Sequence, residues 1–392
     1  MPFHDHRPRP LAVLHLAQPA DGGVATVVTD LAAAQCAEGL RVHLACPPGG
    51  TLTSAGRRAG AEVHAWPATR APGPALAAEV LRADRLVRRL RPDIVHLHSA
   101  KAGLAGRLAL RGRVPTLFQP HAWSFDALGP TGAALALRWE RAAAGWADRI
   151  VCVSADEQRR GARAGVTGRW AVVRNGVDLD RFAAAAPAAR REARAALPAL
   201  DGLPPGAPLV VCVARLSRQK GQDVLLRAWP AIAARHPGAR LALVGAGPER
   251  GALLRRAPAG VVFAGAARDP VPWYRAADLA VLPSRWEGMA LAPLEAMACG
   301  RPVVLTDVTG ARESLPAPLR GPCLVPPDDA PALARAVGDL LAAPGRRAAL
   351  GRAARDHVRT THDVRHTAAQ VLGLYRDLVR LPHPEHRERT QR

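Results

Sequence analysis

Several things are scarce in this chain. Its six cysteines stand singly, with no CxxC pair and no metal-ligand spacing, so neither a disulfide framework nor a structural metal site is expected. Cys152 and Cys212 fall inside apolar strand patterns and read as buried small hydrophobes in a reducing cytoplasm. No run of eighteen residues lacks a charge, which argues against a membrane-spanning helix. The opening apolar run, LAVLHLA, is too short for a signal peptide and reads as a first strand. Aromatic residues make up 4%, and no basic stripe interleaves with them as a single-strand nucleic-acid binder needs. Lysine is almost missing: Lys101 and Lys220 are the two lysines among 54 basic residues.

What is present is alanine, arginine, glycine and proline in quantity, the mark of GC-rich coding, so much of the arginine carries no specific message. The net charge of +21 fits an anionic membrane face better than nucleic acid. Arg82, Arg85, Arg88, Arg89 and Arg91 crowd one helical segment, part of which can share a side. The expected location is the cytoplasm, with peripheral contact at the inner membrane face. With 392 residues, 48% of them apolar, there is room for two domains and ample cores.

The apolar runs set the fold class. LAVLHLA, RVHLACP, EVHAWP, DIVHLHS, PTLFQPH, RIVCVS and AVVRN alternate with helical stretches. After a Pro/Ala/Arg-rich stretch the alternation restarts with LVVCVA, LALVGA, VVFAGA, LAVLPS, PVVLTD and CLVPPD. This pattern predicts α/β architecture with two tandem, Rossmann-like, doubly wound domains facing across a cleft. The expected divisions are a first domain over 1–184, a linker over 185–207, a second domain over 208–370, a crossing helix over 371–380 and a disordered tail over 381–392.

The chain is organised around VLPSRWEGMALAPLEAMAC, residues 281–299. A strand ends at Pro283 and Ser284, and a helix is expected to begin at Pro293, where a missing N–H costs nothing. Glu287 and Glu295, with seven residues between them, flank that helix start, whose unpaired N–H groups favour an acceptor-rich, polyhydroxylated ligand. Taken alone, Glu295 could equally be a capping acid and Glu287 a solvated one.

A second motif, VVCVARLSRQKGQD, delivers Arg215 at a strand end and Lys220 five residues later, before Gly221 and a helix start. Two cations there suit a diphosphate whose charge grows as a bond breaks; the plainer alternative is a pair of solvated surface cations. Gly22 and Gly23 open a helix as a phosphate-approach turn would, but without the third glycine of a dinucleotide fingerprint. His121 lies just past a strand end, among aromatics. Gly245 and Gly247, like Asn175 and Gly176, mark further strand-end turns.

Together these stretches resemble one family. From the GGV loop through VSADE, RNGVD, ARLSRQKG, LVGAGPE and WEGMALAPLEAMACG to RPVV, the chain resembles the retaining glycosyltransferases of family 4, with the GT-B architecture. That resemblance implies a hexose transferred from a nucleotide-diphosphate sugar to an acceptor hydroxyl, without a metal or other cofactor. It implies Arg215 and Lys220 on the donor diphosphate and Glu295 on the ribose. Glu287, with the backbone of Gly288, Met289, Ala290 and Leu291, would bind the sugar hydroxyls, and Gly245 would join the donor site. Gly23 would approach the phosphate, and His121 would bond the transferred sugar. Met289 and Ala290 depart from the Phe and Gly frequent in the family, which bears on donor identity. The acceptor is expected to be lipid-linked or a growing envelope polysaccharide.

Three alternatives stand at this point: a nucleotide-sugar epimerase or phosphorolytic enzyme of the same fold, a glycosyltransferase acting on a soluble small molecule, and a non-catalytic basic binding module. The phosphorolytic reading needs a cofactor lysine, for which Lys101 and Lys220 are the candidates.

Overall fold

The computed structural model describes residues 9–184, 187–204 and 206–380; the tail expected over 381–392 lies outside them. All thirteen apolar runs form strands. In the first unit these are β1 (Ala12–Ala17), β2 (Arg41–Cys46), β3 (Glu62–Ala65), β4 (Ile94–His98), β5 (Thr116–Gln119), β6 (Arg149–Cys152) and β7 (Trp170–Val172). They pair in parallel in the order β3-β2-β1-β4-β5-β6-β7. In the second unit they are β8 (Leu209–Val213), β9 (Arg240–Val244), β10 (Val261–Gly265), β11 (Leu279–Leu282), β12 (Val303–Thr306) and β13 (Leu324–Val325), in the order β10-β9-β8-β11-β12-β13. Strands covered by helices on both faces have no solvent side to alternate with, so they read as continuous apolar runs. Every residue of β1, β4, β11 and β12 is accordingly buried.

Strand order reverses between β1 and β4 in one sheet and between β8 and β11 in the other. At such a switch point the connecting loops leave in opposite directions and open a crevice at the carboxyl ends of the strands. The loops that carry the candidate residues follow β1, β5, β8, β9 and β11.

The chain divides as Met1–Val153, Gln158–Val173 and Ala368–Arg392 in one unit, and Ser154–Glu157 with Arg174–Thr367 in the other. The stretch 185–207, expected to be a linker, is part of the second unit. Its helix Pro187–Ala195 packs on the helix Val271–Ala276. Arg194, buried there, donates to the carbonyls of Ala276 (3.0 Å) and Ala207 (2.9 Å) and to Asp278 Oδ2 (3.0 Å). Asp278 also accepts from Arg190, Arg347 and the Leu209 N–H, so three arginines share one buried carboxylate, which ties the stretch to the second unit. The last helix runs from Val364 to Arg380, longer than the expected 371–380, and its residues from Ala368 onward belong to the first unit.

Candidate active site

In the second unit the site is built on β8 and β11. Arg215 leaves the end of β8, exposed, and the chain makes a 3-10 turn over Arg218–Lys220. Gly221 then caps the helix Gln222–Arg235 at φ 64°. A Cβ at Gly221 would lie 2.0 Å from the Pro283 carbonyl oxygen, so glycine is required twice, by conformation and by contact with the end of β11. That contact brings two distant motifs together. Lys220 Nζ lies 2.5 Å from Glu287 Oε1, which also accepts from Ser284 Oγ at 2.7 Å. Both bonds fall on Oε1, and no described residue bonds Oε2. The Lys220–Glu287 pair is only slightly exposed, 19% and 11% at the side chains, so solvent screens it less than a surface pair.

The loop after β9 is moulded on the Arg215 segment. A Cβ at Gly245 would lie 2.0 Å from the Ala214 carbonyl oxygen, and one at Gly247 would lie 2.1 Å from that of Leu216. Only bare backbone allows this approach, which fixes where Arg215 leaves the strand.

After β11, Gly288 O accepts from Ser154 Oγ (3.0 Å) and Met289 O from Asn175 Nδ2 (2.8 Å), while Met289 and Leu291 are buried. The helix begins at Leu291, two residues before Pro293, and Ala290 caps it without a side-chain bond. Proline is tolerated at the third helical position because N–H groups of the first turn have no intrahelical partner. Glu295 is therefore fifth in the helix rather than third, beyond the capping positions. Its Oε2 accepts from the Tyr274 hydroxyl at 2.8 Å, and no described residue bonds Oε1. Burial raises the Glu295 carboxyl above the usual range, and the Tyr274 bond opposes the rise. A shielded carboxylate with one oxygen uncommitted is suited to accept from neighbouring hydroxyls.

In the first unit, Gly22 takes φ 84° and caps the helix Gly23–Ala37. Nothing lies within 4 Å of a Cβ built at Gly22, so the helix head stands open. His121 follows β5 at φ 58°, and Ala122 after it has φ 133°. Two successive non-glycine residues at positive φ are a strained arrangement of the kind found at ligand sites. His121 Nε2 is bonded to His98 Nδ1 at 3.1 Å.

The model for glycosyl transferases group 1 matches residues 207–343, and the model for glycosyltransferase family 4 matches residues 21–181. The D-inositol 3-phosphate glycosyltransferase of Mycobacterium avium is 35% identical over 332 residues, 78% of this chain and 74% of that protein. The chain belongs to the family 4 glycosyltransferases. Another member, the GDP-mannose-dependent alpha-(1-6)-phosphatidylinositol monomannoside mannosyltransferase of Mycolicibacterium smegmatis, is 41% identical over 194 residues, 46% of this chain. The chain spans 49% of that relative, and two further curated relatives are spanned over 66% and 50% of their lengths. The crystal structure of Anabaena HepE with UDP-glucose shares the fold at a TM-score of 0.79 and 23% identity, over 93% of this chain and 99% of that one.

Three parts of this candidate site were not read from sequence. Arg285 makes a fork to Asp223 (2.9 and 2.8 Å), bonds Asp328 (2.8 Å) and donates to the Arg218 carbonyl (2.8 Å). Its guanidinium pKa is raised by those carboxylates, and it clamps the Lys220 turn to the loop after β11. Tyr274, which orients Glu295, is one of only two tyrosines in the chain. The third part is the row of histidines behind His121. A signal existed for it in the single His of LAVLHLA on β1 and the two of DIVHLHS on β4.

Proposed function

We propose that this protein transfers a hexosyl group from a nucleoside-diphosphate sugar to an acceptor hydroxyl, with retention at the anomeric carbon. The observation that carries the reading is the meeting of Lys220 and Glu287 at 2.5 Å, beside Arg215 and the head of the Leu291–Ala298 helix. Lys220 keeps two N–H donors for an anion when one serves Glu287. Arg215 and Lys220 then stabilise the diphosphate as the bond from its oxygen to the anomeric carbon breaks. The acceptor oxygen bonds to that carbon on the same face, and its proton passes to the departing phosphate oxygen. Glu295 takes the ribose hydroxyls. Glu287, with the backbone of Gly288, Met289, Ala290 and Leu291, takes those of the sugar, and Gly245 shapes the donor side. In the first unit, the N–H at Gly23 suits a phosphate and His121 a hydroxyl.

The phosphorolytic alternative is disfavoured by its lysines. Lys101 is buried against Glu79 at 2.6 Å and donates to the Ala71 carbonyl, while Lys220 is engaged by Glu287. For the acceptor, we favour a lipid-linked substrate met at an anionic membrane face. Arg82, Arg85 and Arg89 stand exposed on the helix Leu76–Leu90 and, with His64 and Pro67, line a groove of about 560 Å³. Leu81, 55% exposed on the same helix, adds apolar area beside them.

The test is release of nucleoside diphosphate from UDP-glucose and from GDP-mannose, with lipid and soluble acceptors, in the presence of anionic or neutral vesicles. Release that needs an acceptor and rises with anionic vesicles at low salt is expected. A donor at a hundredfold its Kd should also stabilise the fold by about 2.7 kcal/mol. No release and no stabilisation with any donor would leave a non-catalytic module as the better reading.

A further inference from the structure

Three histidines of the first unit, His15, His98 and His121, form a single hydrogen-bonded row, and a fourth, His96, stands on a side arm. His15 lies on β1, His96 and His98 on β4, and His121 past β5. His15, His96 and His98 are fully buried. Gln35, on the helix Gly23–Ala37, starts the row: its Oε1 lies 2.7 Å from His15 Nε2, His15 Nδ1 lies 2.9 Å from His98 Nε2, and His98 Nδ1 lies 3.1 Å from His121 Nε2. A neutral imidazole has one N–H and one lone pair, so a direction set at one end passes through every ring. The amide oxygen of Gln35 only accepts. His15 therefore carries its proton on Nε2 and offers Nδ1 to the Nε2–H of His98. His98 in turn offers Nδ1 to the Nε2–H of His121.

A side arm agrees with this direction. Gln35 Nε2 donates to the Tyr375 oxygen at 3.4 Å, and the Tyr375 hydroxyl donates to His96 Nδ1 at 2.8 Å. His96 then holds its own proton on Nε2, a buried atom with no hydrogen-bond partner among the described residues. All four rings thus take the tautomer that a histidine prefers when free in water, and none is forced into the other. Burial keeps them neutral: it lowers the pKa of His15 to about 4 and of His121 to about 3, and holds His96 and His98 well below the ordinary value. Among the described residues no carboxylate bonds any of the four.

We propose that Gln35, His15 and His98 are positioning residues that hold His121 as the neutral tautomer protonated on Nε2, leaving Nδ1 as a bare acceptor for a hydroxyl of the bound sugar. The identity of that hydroxyl rests on the proposed transfer reaction; the tautomer does not. The positive φ at His121 and Ala122, followed by the buried Trp123, holds the ring on the row by backbone geometry as well.

The experiment is long-range 1H–15N correlation spectroscopy on the full chain labelled with 15N-histidine, from pH 5 to 8, beside steady-state kinetics. In the wild type, His121 should show an unprotonated Nδ1 and a protonated Nε2 throughout. His98→Leu removes the acceptor and should give His121 mixed tautomers. Its kcat should fall about tenfold with little change in donor KM, as expected for loss of an oriented hydrogen bond that strengthens as the sugar reacts. His98→Asn restores a carbonyl oxygen near the Nδ1 position and should restore both the spectrum and most of the rate. If His98→Leu does not fold, Gln35→Leu at the far end of the row gives the same spectroscopic reading. A wild-type His121 protonated on Nδ1, or charged at pH 7, overturns the proposal, as does an unchanged His121 spectrum in the Leu variants. So does one equivalent of tightly held transition metal in the purified protein. One nitrogen from each of His15, His96 and His98 lies within 4.8 Å of the others, and an ion would take the nitrogens the row uses.

Discussion

The switch points of the two sheets handle polarity in opposite ways on the same kind of scaffold, although the first unit buries ion pairs elsewhere, Lys101 with Glu79 and Arg107 with Glu140. At the switch point of the second sheet the polar groups are ions: Lys220 against Glu287, Arg285 against Asp223 and Asp328, and Glu295 held by a tyrosine. At the switch point of the first sheet they are neutral rings joined nose to tail, from Gln35 to His121. Ions at strand ends keep a path to solvent and can exchange partners when an anionic ligand arrives. Charges as deep as His15 and His96 would carry the full desolvation cost, so those groups stay uncharged and act through the direction of their protons. The comparison teaches that one switch point relies on charge and the other on the direction of its hydrogen bonds.

Acid should separate the two most strongly. An unfolded histidine titrates near 6.5, whereas His15 is lowered to about 4 and His121 to about 3, with His96 and His98 well below the ordinary value too. Between these values the unfolded chain binds more protons than the native one. The stability these neutral rings contribute is therefore complete above pH 6.5 and lost as pH falls toward 4. Each contributes up to about 1.4 kcal/mol per pH unit, so denaturant midpoints should drop steeply between pH 6.5 and 5, before most carboxylates titrate. A flat midpoint over that interval would mean the rings are already charged and the row is not as described.

The ionic side should answer to charge removal instead. Lys220→Ala and Arg215→Ala should each lower kcat and kcat/KM at least tenfold, toward the roughly hundredfold typical of losing one transition-state charge partner, while the fold survives. Lys220 is partly exposed, and losing it leaves Glu287 its Ser284 bond. Wild-type turnover in either variant would remove the diphosphate from this end of the sheet.

The two regions also differ in how legible they were. Arg215, Lys220, Glu287 and Glu295 sit in two short stretches whose strand–loop–helix reading places them directly, and the thirteen apolar runs fix the strands because parallel strands have no polar face to blur them. The Leu291 start escaped notice because proline was expected at the first helical position, while the first turn accepts it two places later. The attachment of the stretch expected to be a linker is tertiary and has no local signal: Arg190 and Arg194 meet Asp278, more than eighty residues on. The histidine row was out of reach for the same reason, since its members come from positions 15, 35, 98 and 121 with Tyr375 on a side arm, and only parallel pairing of β1 with β4 sets His15 beside His96 and His98.

The smallest expected effect tests whether Glu295 belongs to the ionic region in function as well as in place. Its carboxyl is raised by burial and steadied by Tyr274, so it is held in one orientation before any ligand arrives. Contacts to a ribose change little between bound substrate and transition state, and removing them should weaken binding rather than chemistry. Glu295→Ala should therefore raise the donor KM about fivefold to tenfold, the net worth of about one ordinary hydrogen bond, with kcat nearly unchanged. Tyr274→Phe keeps the carboxylate but frees its orientation, and about a twofold rise is expected, since an ordered acceptor is lost only part of the time. If kcat falls in Glu295→Ala while KM holds, the carboxylate acts on the reacting sugar instead. The Tyr274→Phe variant should then follow it in kcat, because the same hydrogen bond would be aiming a group at the chemistry.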